Sequence, residues 1–324
     1  MTDTNTPNSK SIEVMKQEIA SELALPAKFG LARPIDPTRS VMTGSGDSYV
    51  AASIASYLSN CRVICCYPST LTLNPNILRD RDLYIISISG RTAHNIAAAK
   101  LAKQSNIKTI AITANPQSEL AKNCDRIIRI DYTKSGALTS GTVSFLSSVL
   151  TCISLTTEVM YNTRDLLSAF KIANIMVDDL LKKIPDALSS VLFLADGLLY
   201  PVACYGSLKI NEVLGIRSFP YSLEEYCHAP LFSIKKDDSV VIFNSSEGHA
   251  TNAKTVSKFT EKLERLNYSF FSLDFPVSSS LAVLFQSIFL VQLLALKMAE
   301  RNGMTDCFFV QSRDLMEISS GYIY

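Results

Sequence analysis

LYIISISGRTAHNIAAAKLAK, Leu83–Lys103, changes its period halfway along. Leu83 to Ile86 form an unbroken apolar run, the pattern of a strand buried on both faces. After Thr92 the small apolar residues recur at helical spacing, with Lys100 and Lys103 left for an outer face. Ser87, Ser89, Gly90 and Thr92 fill the turn between. Strand, hydroxyl-rich turn and helix in that order make half of a parallel βαβ unit.

The same rhythm extends outward. SVMTGSGDSYVAASIASYL, Ser40–Leu58, again reads strand, Gly/Ser turn, helix. CRVICCY (Cys61–Tyr67), KTIAITA (Lys108–Ala114) and RIIRI (Arg126–Ile130) read as further strands. SIEVMKQEIASEL opens a helix expected over residues 11–30. The second half repeats the scheme: SSVLFLADGLLYPVACYGSLK (Ser189–Lys209) echoes Ser40–Leu58, and DSVVIFNSSEGHATNAKTVSKF (Asp238–Phe259) echoes Leu83–Lys103. The echoes stand roughly 150–160 residues apart, which implies two α/β domains of one kind with parallel sheets. A chain of 324 residues is long enough for both. The expected layout is an N-terminal helical segment over 1–30, a first domain over 31–165 and a second over 166–324.

Composition excludes several classes. The net charge is +1, and no run of charge is longer than KKDD. Nothing there recommends nucleic acid or an anionic membrane surface as partner. Ser135–Thr157 and Phe275–Leu296 lack charge for over twenty residues. They are long enough to span a bilayer, but hydroxyls and amides are scattered through both and no basic clusters flank them. They read as buried helices. Eight cysteines without a C-x-x-C pair or a secretion signal suggest free thiols in a reducing, cytoplasmic compartment. Neighbouring side chains in the strand around Cys65 and Cys66 face opposite ways, so no metal site is expected.

The turns carry the chemistry. GSGDS, Gly44–Ser48, either closes a connection tightly or seats an anion with its backbone N–H groups at the positive end of a helix. It lacks the third glycine of the dinucleotide pattern and the Lys of a P-loop. In SISGRT, Ser87–Thr92, helix capping accounts for one hydroxyl, not for three around a glycine. Adjacent strands would bring both turns to the carboxyl edge of the sheet, where open α/β folds bind ligands.

GSGDSYVAA followed by SISGRTAHNIAAAKLAK resembles the sugar isomerase (SIS) domain, in which such turns cradle the phosphate of a phosphosugar. The resemblance covers both halves. It implies an α/β fold of two tandem, pseudo-duplicated SIS-type three-layer α/β/α domains with flavodoxin-like parallel sheets. It implies that Gly46, Ser48, Ser87, Ser89 and Thr92 bind phosphate. In catalytic members a Lys three residues before a Glu, and a His sixteen after it, follow a pattern that Lys209, Glu212 and His228 match, with Glu225 before the His. By that resemblance Glu212 is the general base moving a proton between C1 and C2. His228 opens the sugar ring from the partner subunit of a homodimer with shared sites. A carboxylate with raised basicity and a group titrating near neutrality suit that work.

Departures refine this expectation. SGRT has Arg91 where the family usually has Glu, adding charge at the pocket rim. GTVSF, Gly141–Phe145, keeps Thr142 and loses the family's Lys. The tail has no Lys after Lys297, so no tail lysine is expected to form an imine. Residues 1–10 contain no Cys, and a glutaminase domain is not expected. The resulting expectation is an enzyme needing no cofactor or metal that transfers a proton on a hexose or hexosamine 6-phosphate. The leading reaction is a glucosamine-6-phosphate deaminase/isomerase type. Glucose/mannose-6-phosphate isomerisation, deglycation of amine-linked sugar phosphates, or a non-catalytic phosphosugar sensor are the alternatives.

Overall fold

The computed structural model describes residues 10–25, 34–158, 161–244, 250–275 and 279–324. The chain folds into two compact units, each discontinuous in sequence. One comprises residues 24–134, 141–162 and 313–324; the other comprises 1–23, 135–140 and 163–312.

Helix α1 (Ser11–Glu22) belongs to the second of these and ends short of the expected residue 30, with Pro26 close behind it. Proline disfavours helix at the residue before it. Residues 26–33 lie outside the described part.

The five-strand unit alternates β1 (Ser40–Thr43), α2 (Asp47–Leu58), β2 (Ile64–Cys65), α3 (Pro68–Leu73), β3 (Asp82–Ile86), α4 (Ala93–Gln104), β4 (Thr109–Thr113), α5 (Glu119–Lys122) and β5 (Arg126–Arg129), then α6 (Val143–Thr156). All strand pairs are parallel, in the order β2-β1-β3-β4-β5. Right-handed crossovers in that order place α2 and α4 on opposite faces. Val41, Leu83, Ile85 and Ala111 meet Ala98, Ala99 and Ala102 of α4 in a closed core. The small alanines let the helix lie close to the sheet. β2 is shorter than Cys61–Tyr67 because Asn60 and Cys61 turn with φ of 56° and 57° and Pro68 opens α3.

Helix α6 explains why an uncharged stretch rich in hydroxyls can be buried. Ser147, Ser148 and Thr151 donate to the carbonyl four residues back at 2.6, 2.9 and 2.8 Å. Each hydroxyl is satisfied within the helix and needs no water.

The four-strand unit contains α7 (Thr163–Leu181), β6 (Ser190–Leu194), α8 (Tyr200–Leu214), β7 (Arg217–Tyr221), α9 (Leu223–His228), β8 (Asp238–Asn244), α10 (Ala250–Arg265), β9 (Ser269–Asp274), α11 (Ser280–Arg301) and α12 (Phe308–Gln311). Its sheet is also parallel, ordered β7-β6-β8-β9. Helix α11 is long and apolar enough to cross a membrane by length and composition, yet 89 % of its most apolar window is buried inside the protein. It packs against α7 and α8 as the central helix of the unit. The last helix, α13 (Arg313–Ile323), belongs to the five-strand unit.

Candidate functional site

The two turns expected to seat an anion lie in the five-strand unit. β1 and β3 are neighbours with Thr43 opposite Ile85, so the turns after both strands emerge at one edge. Gly46 has φ 56° and ψ −130°, a backbone that only glycine adopts readily. Gly90 has φ +64°, and a Cβ there would stand 2.0 Å from Ser118 Oγ. Both turns therefore depend on glycine, one for its dihedrals and the other also for space.

Their hydroxyls divide the work. Ser87 Oγ accepts from Gly90 N–H at 3.2 Å and Ser89 Oγ accepts from Arg91 N–H at 3.3 Å, which fixes the turn. Thr92 stands at the N-cap of α4, but its side chain makes no capping hydrogen bond; Gly46 at the N-cap of α2 has no side chain to do so. The first N–H groups of both helices thus have no side-chain cap, which suits an anion. Ser48 is half-buried in the first turn of α2, and Thr142 is fully buried at the start of α6. Arg91 is engaged by the end of the chain: its guanidinium lies 5.1 Å from the Tyr324 ring centre, and the His94 ring lies 5.7 Å from Tyr322.

The candidate acid/base group lies in the four-strand unit. Helix α8 places Lys209 and Glu212 three residues apart on one face, and Gly215, with φ 66°, ends it in the left-handed conformation. Lys209 is completely buried. Its Nζ donates to Glu212 Oε2 at 2.7 Å and to Ser140 Oγ at 2.8 Å, while Ser140 Oγ donates to the same Oε2 at 2.7 Å. The face of the Tyr205 ring lies 5.1 Å from Nζ. A buried ammonium is tolerated only when it is paired and hydrogen-bonded, and here the carboxylate, the hydroxyl and the ring supply that. The Glu212 side chain is 38 % exposed. Oε2 is held by two donors, while Oε1 has no hydrogen-bond partner among the described residues.

Ser140 was not legible as a functional residue; only its place just before Gly141–Thr142 pointed to it. His228 ends α9 with its side chain 71 % exposed and its Nε2 4.0 Å from Glu224 Oε1. No hydrogen bond or ion pair among the described residues joins it to Lys209 or Glu212. Glu225 is exposed on the first turn of α9, where its N–H donates to Ser222 Oγ at 3.3 Å. The sequence SLEE is thus a helix start with a serine cap. Lys209 and Glu212 are brought together within this unit; among the described residues neither His228 nor Glu225 is hydrogen-bonded or ion-paired to them.

K209M should leave Glu212 with Ser140 alone. Because Glu212 is partly solvated, the expected loss of stability is only about 1–2 kcal/mol, read as a lower urea midpoint with an unchanged slope.

Cys65 and Cys66, near the start of α3, are thiols that burial pushes up to about 12 and about 11. They sit beside Tyr49, which stacks on Tyr67 at 3.9 Å. No cluster of three metal-ligating side chains occurs among the described residues.

Comparison with known proteins bears on the fold and on the first domain. Residues 35–155 match the SIS domain. Glutamine–fructose-6-phosphate aminotransferase (isomerizing) of Sulfurisphaera tokodaii is 28 % identical over 220 residues, 64 % of this chain and 37 % of that protein. The chain thus spans less than half the length of such relatives. Glucosamine-6-phosphate deaminase from Thermotoga maritima superposes with a TM-score of 0.68 and 21 % identity, over 90 % of this chain and 95 % of that one. The C-terminal domain of glucosamine-fructose-6-phosphate aminotransferase from Francisella tularensis gives 0.68 and 19 %, over 94 % and 98 %. The fold is that of tandem SIS-type domains. Residues 35–155 thus carry the SIS-domain match, and the chain as a whole resembles the isomerase domain of the aminotransferase and related phosphosugar isomerases and deaminases.

Proposed function

We propose that the protein is an enzyme that moves a proton between C1 and C2 of an open-chain hexosamine 6-phosphate, in the manner of a glucosamine-6-phosphate deaminase/isomerase. The observation that carries this reading is the Lys209–Ser140–Glu212 group. A half-buried carboxylate whose one oxygen is held by an ammonium and a hydroxyl keeps its other oxygen in a fixed direction for a substrate proton.

Gly46, Ser48, Ser87, Ser89 and Thr92 bind the phosphate. Thr142, Glu225 and Arg91 make further contacts to the substrate. Glu212 takes the proton from C2 of the open-chain aldehyde while the C2 ammonium gives a proton to O1, leaving an enolamine, and Glu212 returns its proton at C1. The resulting C2 imine adds water and releases ammonia, giving the 6-phosphate of a ketose. The residues named here carry these proton steps without a cofactor or metal.

The exposed position of His228 supports a role completed by a second copy of the chain, with His228 reaching the partner's sugar to open its ring. The eight free thiols fit a cytoplasmic setting. The same exposed His228 is also what a non-catalytic phosphosugar sensor would show.

Proton NMR in D₂O with glucosamine 6-phosphate, then glucose 6-phosphate, tests the reading. Deuterium entering at C1 or C2 supports it, and the accompanying product separates deaminase from isomerase. Binding of both sugars without exchange would leave a sensor or an enzyme for a bulkier, amine-linked substrate.

A further inference from the structure

A buried carboxylic acid that this mechanism does not use lies in the four-strand unit, linked to its catalytic lysine. Glu22, the last residue of α1, has no exposed surface. Its Oε1 accepts from Gln292 Nε2 on α11 at 3.0 Å, and the same amide nitrogen donates to the Tyr205 hydroxyl at 3.2 Å. Both hydrogens of the Gln292 amide are thereby used. Gln292 and Tyr205 are as fully buried as Glu22. The Tyr205 ring then faces Lys209 Nζ at 5.1 Å. We propose that Glu22, Gln292 and Tyr205 form a positioning relay that fixes the ammonium of Lys209 against Glu212. The proposal rests on the catalytic reading of Lys209 and Glu212 above and names residues acting through them.

Two geometric facts support the relay. The ring that faces the ammonium is held at its far end, so it cannot swing away from Nζ without breaking the Gln292 bond. Glu22 Oε2 is buried and has no hydrogen-bond partner among the described residues. A charged oxygen there would be an uncompensated anion, whose cost a proton removes. Burial accordingly raises the Glu22 pKa well above its ordinary value, with the Gln292 bond opposing the rise and the neighbouring Glu18 charge adding to it. Among the described residues, Glu22 meets Glu18 on its own helix and Gln292 from α11, which links it to Tyr205 of α8 and, beyond the ring, Lys209. A neutral Glu22 leaves Glu212 as the anion that holds Lys209. An ionised one would compete for it.

The sign of the pH dependence follows. A carboxyl whose folded pKa is raised binds more protons in the folded state than in the unfolded one. Stability is therefore greatest below the unfolded value, about 4.5, and falls as pH rises from there through the folded pKa. E22Q, neutral at every pH, should lose that part of the fall and be more stable than the parent at neutral pH.

The relay itself is tested by lysine labelling. The full chain and its Y205F, E22L and E22Q variants are reductively methylated, and the modified peptides are quantified by mass spectrometry. Lys297, five residues beyond Gln292 on α11 and paired with Asp178 at 2.5 Å, reports any general opening of the unit. Lys209 should label at least tenfold faster in Y205F and E22L than in the parent, with Lys297 unchanged, and E22Q should restore the protection because its amide oxygen still accepts from Gln292. In the exchange assay the same two variants should lower kcat about tenfold with KM unchanged.

Lys209 labelling equal to that of the parent in Y205F and E22L would overturn the relay, as would a rise matched by Lys297. Parallel pH–stability curves for E22Q and the parent would overturn the neutral state of Glu22. If the parent itself exchanges no proton with either sugar, the proposed reaction fails while the labelling result still decides the relay.

Discussion

E212Q should lower the rate of deuterium incorporation into a bound sugar phosphate by about 10²–10⁴-fold, the range that a positioned general base contributes. The amide preserves the size of the side chain and the Ser140 and Lys209 contacts to one oxygen, but it cannot accept a proton from carbon. Sugar-phosphate affinity should stay within a few-fold, because the phosphate is assigned to other residues. Isothermal titration and proton NMR on one preparation separate these effects. A variant that still exchanges at the parental rate would remove Glu212 from the chemistry. Loss of binding together with exchange would mean that Glu212 mainly holds the substrate.

G90A should be the most damaging single substitution in the turn proposed to hold the phosphate. The left-handed backbone of Gly90, φ +64°, costs an L-residue roughly 1–2 kcal/mol. The added methyl would also stand 2.0 Å from Ser118 Oγ and 2.4 Å from its Cβ, and forced overpacking costs about 1–3 kcal/mol more. Ser118 caps α5 by accepting from Ala121 N–H at 3.2 Å, so relief of the clash would displace that cap. Stability should fall by about 2–5 kcal/mol. Affinity for inorganic phosphate or glucosamine 6-phosphate should drop at least about tenfold. Gly136 provides the control: its φ is +73°, but nothing lies within 4 Å of an added Cβ. G136A should show the smaller backbone cost alone. Equal urea midpoints for the two variants would refute the account.

The sequence made the parallel sheets legible because apolar runs such as Leu83–Ile86 and Val191–Leu194 carry no polar side to orient. They are buried throughout, as the pattern requires. The turn glycines were legible for the same local reason: a strand, a glycine and a helix-opening hydroxyl fall within a few residues. Contacts between distant parts of the chain were not. Ser140 meets Lys209 across 69 residues of sequence and Gln292 meets Glu22 across 270. Neither has a local pattern, since one polar residue within an apolar run reads alike whether it is solvated or paired. The roughly twenty uncharged residues ending at Leu296 concealed Gln292 in this way: its partners come from α1 and α8. His228 illustrates the opposite limit. Its spacing from Glu212 was conspicuous, but spacing places no side chain near another.

The discontinuity of the two units bears on how the chain is made. Helix α1 leaves the ribosome long before the helix it packs on, α11, which lies 270 residues later at the Glu22–Gln292 bond. At about 5–20 residues per second, roughly 15–50 s of synthesis separate the two. The five-strand unit waits as well, because its last piece is residues 313–324. Neither unit can be completed before its last segment has been made. Through that interval α1 keeps its apolar face, Ile12, Met15 and Ile19, without the helix that will cover it, a surface that chaperones recognise. Production from a slow or stalling message should therefore lower the soluble yield more than for a chain whose domains follow one another in sequence.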